Sequence, residues 1–199
     1  MKPIDFMIAA RATHIPIQTR GLWSIERRTA NPLLAGWPEY TLLRRWTDAT
    51  IHLPVPTPEV VMEDSRAELA RHLPIWLQAE GNVLVTGLGL GCVVRGLLAS
   101  QRVTHIEVVE IDPVIVGMVG PSFAREPRVE ILNADALAVR WTRGKRWDFG
   151  WHDLWSADGH SHLQTLHARL IHKYAPHCKR QGAWMLPRFV KRKIPGIIG

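Results

Sequence analysis

The chain has 199 residues, 46% of them hydrophobic, enough for one domain, or one domain with a small appendage, around a real core. Lys and Arg outnumber Asp and Glu by 25 to 18, and the formal charge of +7 admits a polyanionic partner such as nucleic acid while also serving ordinary solubility. No apolar stretch approaches a membrane span, "MKPIDFMIAA" lacks the long apolar region of a signal peptide, and the two cysteines, Cys92 and Cys178, offer no paired framework, so the chain reads as soluble and cytoplasmic with reduced thiols.

Residues 1–63 contain short β-branched or apolar runs, clearest in "GLWSIERRT" and "YTLLRRWTDATIHLPV". The second predicts a hairpin turning near Thr47 and Asp48, after which Pro54, Pro56 and Pro58 interrupt regular structure. This region is expected to be a small β-rich layer. Residues 64–199 are expected to form the main domain. It opens with a helix over "EDSRAELARHLPIWLQAEG", with Ser65 and Glu68 in capping-box spacing, a break at Pro74 and an end at Gly81.

From residue 82 strands and helices alternate. Strands are predicted at "NVLVTG", "HIEVVEID", "RVEILNA", "WDFGWHD" and "GAWML", and helices from Leu90, from Pro113 and over "HLQTLHARLIHKYA", which places Cys178 near the end of a helix. Such alternation argues for an α/β protein with a doubly wound, mostly parallel sheet, and ligands in such sheets sit at the carboxyl ends of the strands.

Four strand ends carry candidate chemistry. "VLVTGLGLGC" spaces Gly87, Gly89 and Gly91 so that backbone can pass close under a ligand, though the same glycines suit a plain turn. Cys92 stands where a dinucleotide fingerprint needs its last glycine, and no Gly-Lys follows as a P-loop requires. Glu110 closes the second strand, 19 residues after Gly91, where a carboxylate can accept from both hydroxyls of a ribose; Asp112 follows it. Asp135, past the third strand, can accept from an exocyclic amine or cap the helix that begins at Ala136. His152 and Asp153, between Trp151 and Trp155, end the fourth strand; Asp153 can hold an amino group or act as a base, and His152 titrates near neutrality or sits as a satisfied buried ring.

The array "VLVTGLGLG", "VVEIDP", "ILNADAL" and "WDFGWHDLW" resembles the class I S-adenosylmethionine-dependent methyltransferases, with its closest flavour in the spermidine synthase-like branch. It is also similar to short methyltransferase-like proteins of phages and bacteria. The resemblance covers residues 60–187. It implies the Rossmann-like class I fold, shortened at its C-terminus because little chain follows the fifth strand, with no room for the usual closing antiparallel hairpin; a homodimer or the N-terminal layer would cover that edge. It implies S-adenosylmethionine on Gly87, Gly89 and Gly91, ribose contact by Glu110 with Asp112 beside it, adenine contact by Asp135, and Asp153 as the strand-four acid, with His152 beside it as a second catalytic candidate.

The expected activity is methyl transfer to an unidentified acceptor. A non-catalytic S-adenosylmethionine-binding module and a polyamine-type aminopropyltransferase are the alternatives. "DLWSADG", with Asp158 five residues on and no proline, departs from the polyamine branch. Base-methylation signatures are missing: no Pro-Pro follows Asp153, and neither cysteine follows a proline. His160 and His162 suggest a loop over the pocket mouth rather than a metal site, since a lone H-x-H does not fix coordination.

Overall fold

The computed structural model describes residues 1–29, 37–47, 51–52, 55–154, 160–184 and 190–191. Its N-terminal part pairs a helix with an antiparallel sheet. Helix α1 (Pro3–Ala10) begins with Pro3 in its first turn and with Asp5 accepting the Lys2 N–H at 2.7 Å, and it buries Phe6, Met7 and Ala10. The sheet follows in chain order, β1 (Gln18–Arg20), β2 (Trp23–Thr29), β3 (Glu39–Arg45) and β4 (Glu59–Glu63). A β-rich layer was expected here; the helix in front of it was not. The strand returning against β3 is β4, after the prolines, with Leu42 opposite Glu63. It is not the stretch that directly follows Thr47, and Asp48 itself lies outside the described residues.

Asp64 stitches this layer together. Its buried carboxylate accepts from the Ala12 N–H at 2.7 Å and the Thr41 N–H at 2.6 Å, with Arg11 3.9 Å away. The helix predicted next is two, α2 (Arg66–Arg71) and α3 (Leu73–Gln78), separated at His72 because Pro74 cannot continue the ladder. Ser65 caps α2 by accepting from Glu68 N at 3.3 Å. The reciprocal half of the capping box is not made: Glu68 turns its carboxylate to Arg71 and Trp184 instead.

The second sheet has the order β10-β9-β8-β5-β6-β7. Strands β5 (Gly81–Thr86), β6 (Val103–Glu110), β7 (Val129–Asn133), β8 (Trp147–His152) and β9 (Cys178–Ala183) are parallel, and β10 (Val190–Lys191) is antiparallel to β9. From β5 the chain builds outward through α4 (Cys92–Leu98), β6, α5 (Pro113–Val119) and β7; it then returns to place β8 on the other side of β5. Strand order therefore reverses between β5 and β8, which opens a crevice above their carboxyl ends.

The sheet is covered on both faces, as its apolar strands require. On one face α4 is buried from Cys92 to Leu97 and packs against α1 and α3. Gly96 makes that possible: a Cβ there would fall inside the Trp76 indole, whose Nε1 donates to Val93 O at 3.1 Å. On the other face α6 (His160–Tyr174) lies over Leu84, Val109, Trp147 and Cys178, and Tyr174 donates to Ala136 O at 2.9 Å.

Two strand expectations change. The fifth parallel strand spans Cys178–Ala183, four residues earlier than "GAWML", so Cys178 opens a strand rather than lying in a helix. Its polar spelling hides it: Arg180 stacks on Phe149 at 5.2 Å, and Gln181 is buried. A further antiparallel strand does find room beyond it, with Val190 opposite Gln181 and Lys191 opposite Arg180.

Candidate functional site

A cavity of about 650 Å³ fills the crevice at the strand-order reversal, within the usual size range of small-molecule sites. Its floor comes from the parallel sheet. Gly87 ends β5 with φ +95°, and a Cβ there would fall inside the Asp153 carbonyl, so only glycine lets the ends of β5 and β8 approach this closely. Gly89 continues the floor beneath Met62. Gly91 lies outside the cavity lining, where it N-caps α4 against Phe123 and Arg95.

Glu110 lines the cavity from the end of β6. Its Oε2 accepts from the Leu88 N–H at 2.8 Å and its Oε1 from the Asp112 N–H at 2.9 Å. Burial pushes its pKa up, and those two N–H donors pull the other way. It therefore fixes the glycine turn while keeping a second lone pair on each oxygen. Asp112 beside it is held twice over: Oδ1 caps α5 through Val114 N, and Oδ2 accepts from Trp23 Nε1, both at 2.8 Å. Asp112 lines the cavity but serves first as a joint between the two sheets.

Asp153 follows β8 and faces the cavity with its side chain 18% exposed. Its N–H donates to Thr86 O at 2.8 Å, which pins the backbone to β5. Burial, and then the charge of Glu68, raise its pKa to about 7. Glu68 lines the cavity from α2, its own pKa raised by burial; it accepts from Trp184 Nε1 at 3.0 Å and Arg71 at 2.8 Å.

Besides Gly91, two expected site residues do not enter. The His152 ring is fully buried on the α6 side of the sheet, with Nδ1 3.0 Å from Thr86 Oγ1 and Nε2 3.1 Å from Gln181 Oε1. Burial lowers its pKa to about 4, and Tyr174 packs against it at 5.4 Å. Strand alternation sends it to the face opposite Trp151, so it touches nothing in the cavity and is not placed for catalysis. Asp135 is exposed and spends its carboxylate on a local turn, accepting from Leu137 N at 2.7 Å; it does not line the cavity. His160 and His162 open α6 rather than forming a loop, and Trp155 and Asp158 lie outside the described residues.

The roof was not foreseen. It comes from β2, β3 and β4, with Trp23, Leu43 and Arg45 beside Glu59 to Met62. Met62 Sδ accepts from Leu90 N at 3.3 Å and so closes directly over the glycine turn.

Among solved structures the chain is similar to spermidine synthase from Thermotoga maritima, with a TM-score of 0.50 and 15% identity over 85% of this chain and 56% of that one. That coverage exceeds the share held by residues 64–199, so the likeness takes in part of the N-terminal layer. Together with the reversed strand order and the glycine turn, it decides the architecture. The chain has the class I methyltransferase fold. The 23S rRNA methyltransferase ErmE matches over 59% of this chain and 45% of that one, with TM-score 0.46 and 18% identity. TrmN from Thermus thermophilus matches over 60% and 37%, with TM-score 0.46 and 14% identity. The chain thus spans from about a third to a little over half of the length of these structures. No family model matches the chain, and no curated protein matches its sequence. In the class I methyltransferase fold seen here, the acids of β6 and β8 and the glycine turn of β5 meet in one cavity, and the antiparallel sheet roofs it. No helix among the described residues is long and apolar enough to cross a membrane.

Proposed function

We propose that the chain is an S-adenosylmethionine-dependent methyltransferase acting on an acceptor with a basic nitrogen. The convergence of Gly87, Gly89, Glu110 and Asp153 on one cavity at the strand-order reversal carries this reading. The residues fit the donor. The glycine floor leaves room for its backbone-hugging portion, and Glu110 retains lone pairs for ribose hydroxyls. The sulfonium charge finds compensation in a lining that, among the described residues, holds five carboxylates, Glu59, Glu68, Glu110, Asp112 and Asp153, against the one cation Arg45.

Methyl transfer asks little chemistry of the protein. Once bound, the donor would supply an already activated methyl group, its carbon–sulfur electrons returning to sulfur as the acceptor nitrogen took the carbon, so the protein's part is mainly alignment. The new ammonium then loses a proton, for which Asp153, held near neutrality and facing the cavity, is the acceptor on hand. Glu110, Asp112 and Glu68 already accept from backbone, Trp23, Trp184 and Arg71, so Asp153 and Glu59 remain to receive the substrate.

The acidic flank and the likeness to spermidine synthase favour one second reading, transfer of an aminopropyl group to a polyamine. Calorimetry with S-adenosylmethionine and S-adenosylhomocysteine tests the donor. Mass spectrometry of an amine panel incubated with S-adenosylmethionine, and of putrescine with the decarboxylated donor, separates the two transfers. Donor binding with no product in either arm leaves a binding module; no donor binding removes the methyltransferase and the binding module, and no product from putrescine with the decarboxylated donor removes aminopropyl transfer.

A further inference from the structure

His72 is fully buried at the break between α2 and α3, and neither of its ring nitrogens has a hydrogen-bond partner among the described residues. A buried imidazole without partners is costly, so its surroundings need an explanation. The ring packs against two indoles, Trp76 with centroids 5.7 Å apart and Trp151 at 6.2 Å. The nearest carboxylate is Asp153, whose Oδ2 stands 3.9 Å from Nε2. That gap is too long for a hydrogen bond and closes with a small side-chain rotation. Asp153 is also faced by Glu68 from α2 and by the buried Cys92 thiol from α4, while Arg71 acts on His72 from the neighbouring position.

We propose that His72 is a positioning residue for Asp153, holding Oδ2 from behind the cavity wall and leaving the other carboxyl oxygen to face the acceptor. The inference rests on reading Asp153 as the acid on the acceptor side. With Nε2 carrying the ring proton, it donates to Oδ2 both when Asp153 is ionised and when Asp153 is protonated on its outer oxygen, because the inner oxygen then remains a carbonyl acceptor. Asp153 can then take up the acceptor's proton and later release it to solvent without losing its inner hydrogen bond. Burial keeps the imidazole itself neutral, lowering its pKa to about 3, so His72 sets geometry and does not carry the charge.

The test follows the Asp153 carboxyl by carbon-detected NMR in the full chain from about pH 5 to about pH 9, with the resonance assigned through Asp153→Asn. His72→Phe keeps an aromatic ring between the two indoles and removes both nitrogens, so the midpoint rises by at least about one unit as the carboxylate loses its donor. His72→Gln can present an amide N–H from the same place and holds the midpoint within about half a unit of the native one. A His72→Phe midpoint within about 0.3 unit of native overturns the proposal, and so does a His72→Gln midpoint displaced as far as that of His72→Phe.

Where His72→Phe does not fold, the imidazole nitrogen shifts of the native chain give the answer. They follow the Asp153 titration and lose that dependence in Asp153→Asn; a ring blind to the titration overturns the pairing. Binding of S-adenosylhomocysteine, measured separately, stays within about twofold in His72→Phe because the ring does not line the cavity. Absence of that binding in the native chain removes the donor reading alone, and the titration still decides the role of His72.

Discussion

Gly87→Ala tests whether the cavity floor is built as described. The native φ of +95° lies where an L side chain is strained, which costs about 1–2 kcal/mol. The added methyl would also overlap the Asp153 carbonyl oxygen, stand 2.8 Å from its carbon and lie 3.2 Å from Leu154 Cδ2. Backbone cannot swing aside as a flexible side chain can, so the ends of β5 and β8 must part. Two hydrogen bonds are then at stake, Asp153 N to Thr86 O at 2.8 Å and Gly87 N to Val109 O at 2.9 Å, each worth about 1 kcal/mol. The total expected loss is about 3–4 kcal/mol. Gly144→Ala is the matched control: its φ is +101°, but nothing lies within 4 Å of the added methyl, so only the torsional cost of about 1–2 kcal/mol remains. Urea unfolding at constant m gives both values. Equal losses in the two variants refute the close approach of β5 and β8. Gly87→Ala should also weaken S-adenosylhomocysteine at least about tenfold, whereas Gly144→Ala leaves it unchanged.

Asp153 makes the chain less stable as pH rises. Its pKa is about 7 when folded and about 4 when unfolded, so between those values the folded state binds more protons and stability falls with increasing pH, by up to about 4 kcal/mol. Thermal scans should therefore show Asp153→Asn melting above the native chain at about pH 8 and level with it at about pH 4. Glu110→Gln leaves one of the Leu88 and Asp112 N–H groups facing an amide NH₂. It should lower unfolding free energy by about 2 kcal/mol and donor affinity by about tenfold or more, read by denaturation and calorimetry. Asp64→Ala strands the buried Ala12 and Thr41 amides and should cost about 3–5 kcal/mol, with faster hydrogen exchange at both positions.

The parallel sheet was legible because its inner strands are short apolar runs ended by glycine or acid, as in Val83–Thr86 before Gly87. The start of strand β9 was not, because Lys179 and Arg180 read as surface although Arg180 lies on the Phe149 ring. Helix α1 carried its signals, Pro3 and an acid in the first turn, in a stretch too short to show a repeat. The cavity floor was legible for a similar reason, since each acid follows its own strand. One-residue detail was harder. His152 and Asp153 are neighbours in the chain, yet the strand sends the imidazole to the α6 face while the acid beyond it enters the cavity. The roof required contacts that no local pattern announces, such as Trp23 Nε1 to Asp112 across 89 residues.

Met62 gives that roof a further meaning. Its sulfur receives the Leu90 N–H directly above the glycine turn, so a molecule resting on the turn touches β4 as well as β5. Such a molecule acts as a mortar between two courses of strands. Opening β4 then requires giving up the ligand, and the locally open population of the antiparallel sheet falls by the factor one plus ligand concentration over Kd. Protection of the Leu43 amide, on the β4 side of β3, becomes a gauge of occupancy at a turn more than forty residues downstream.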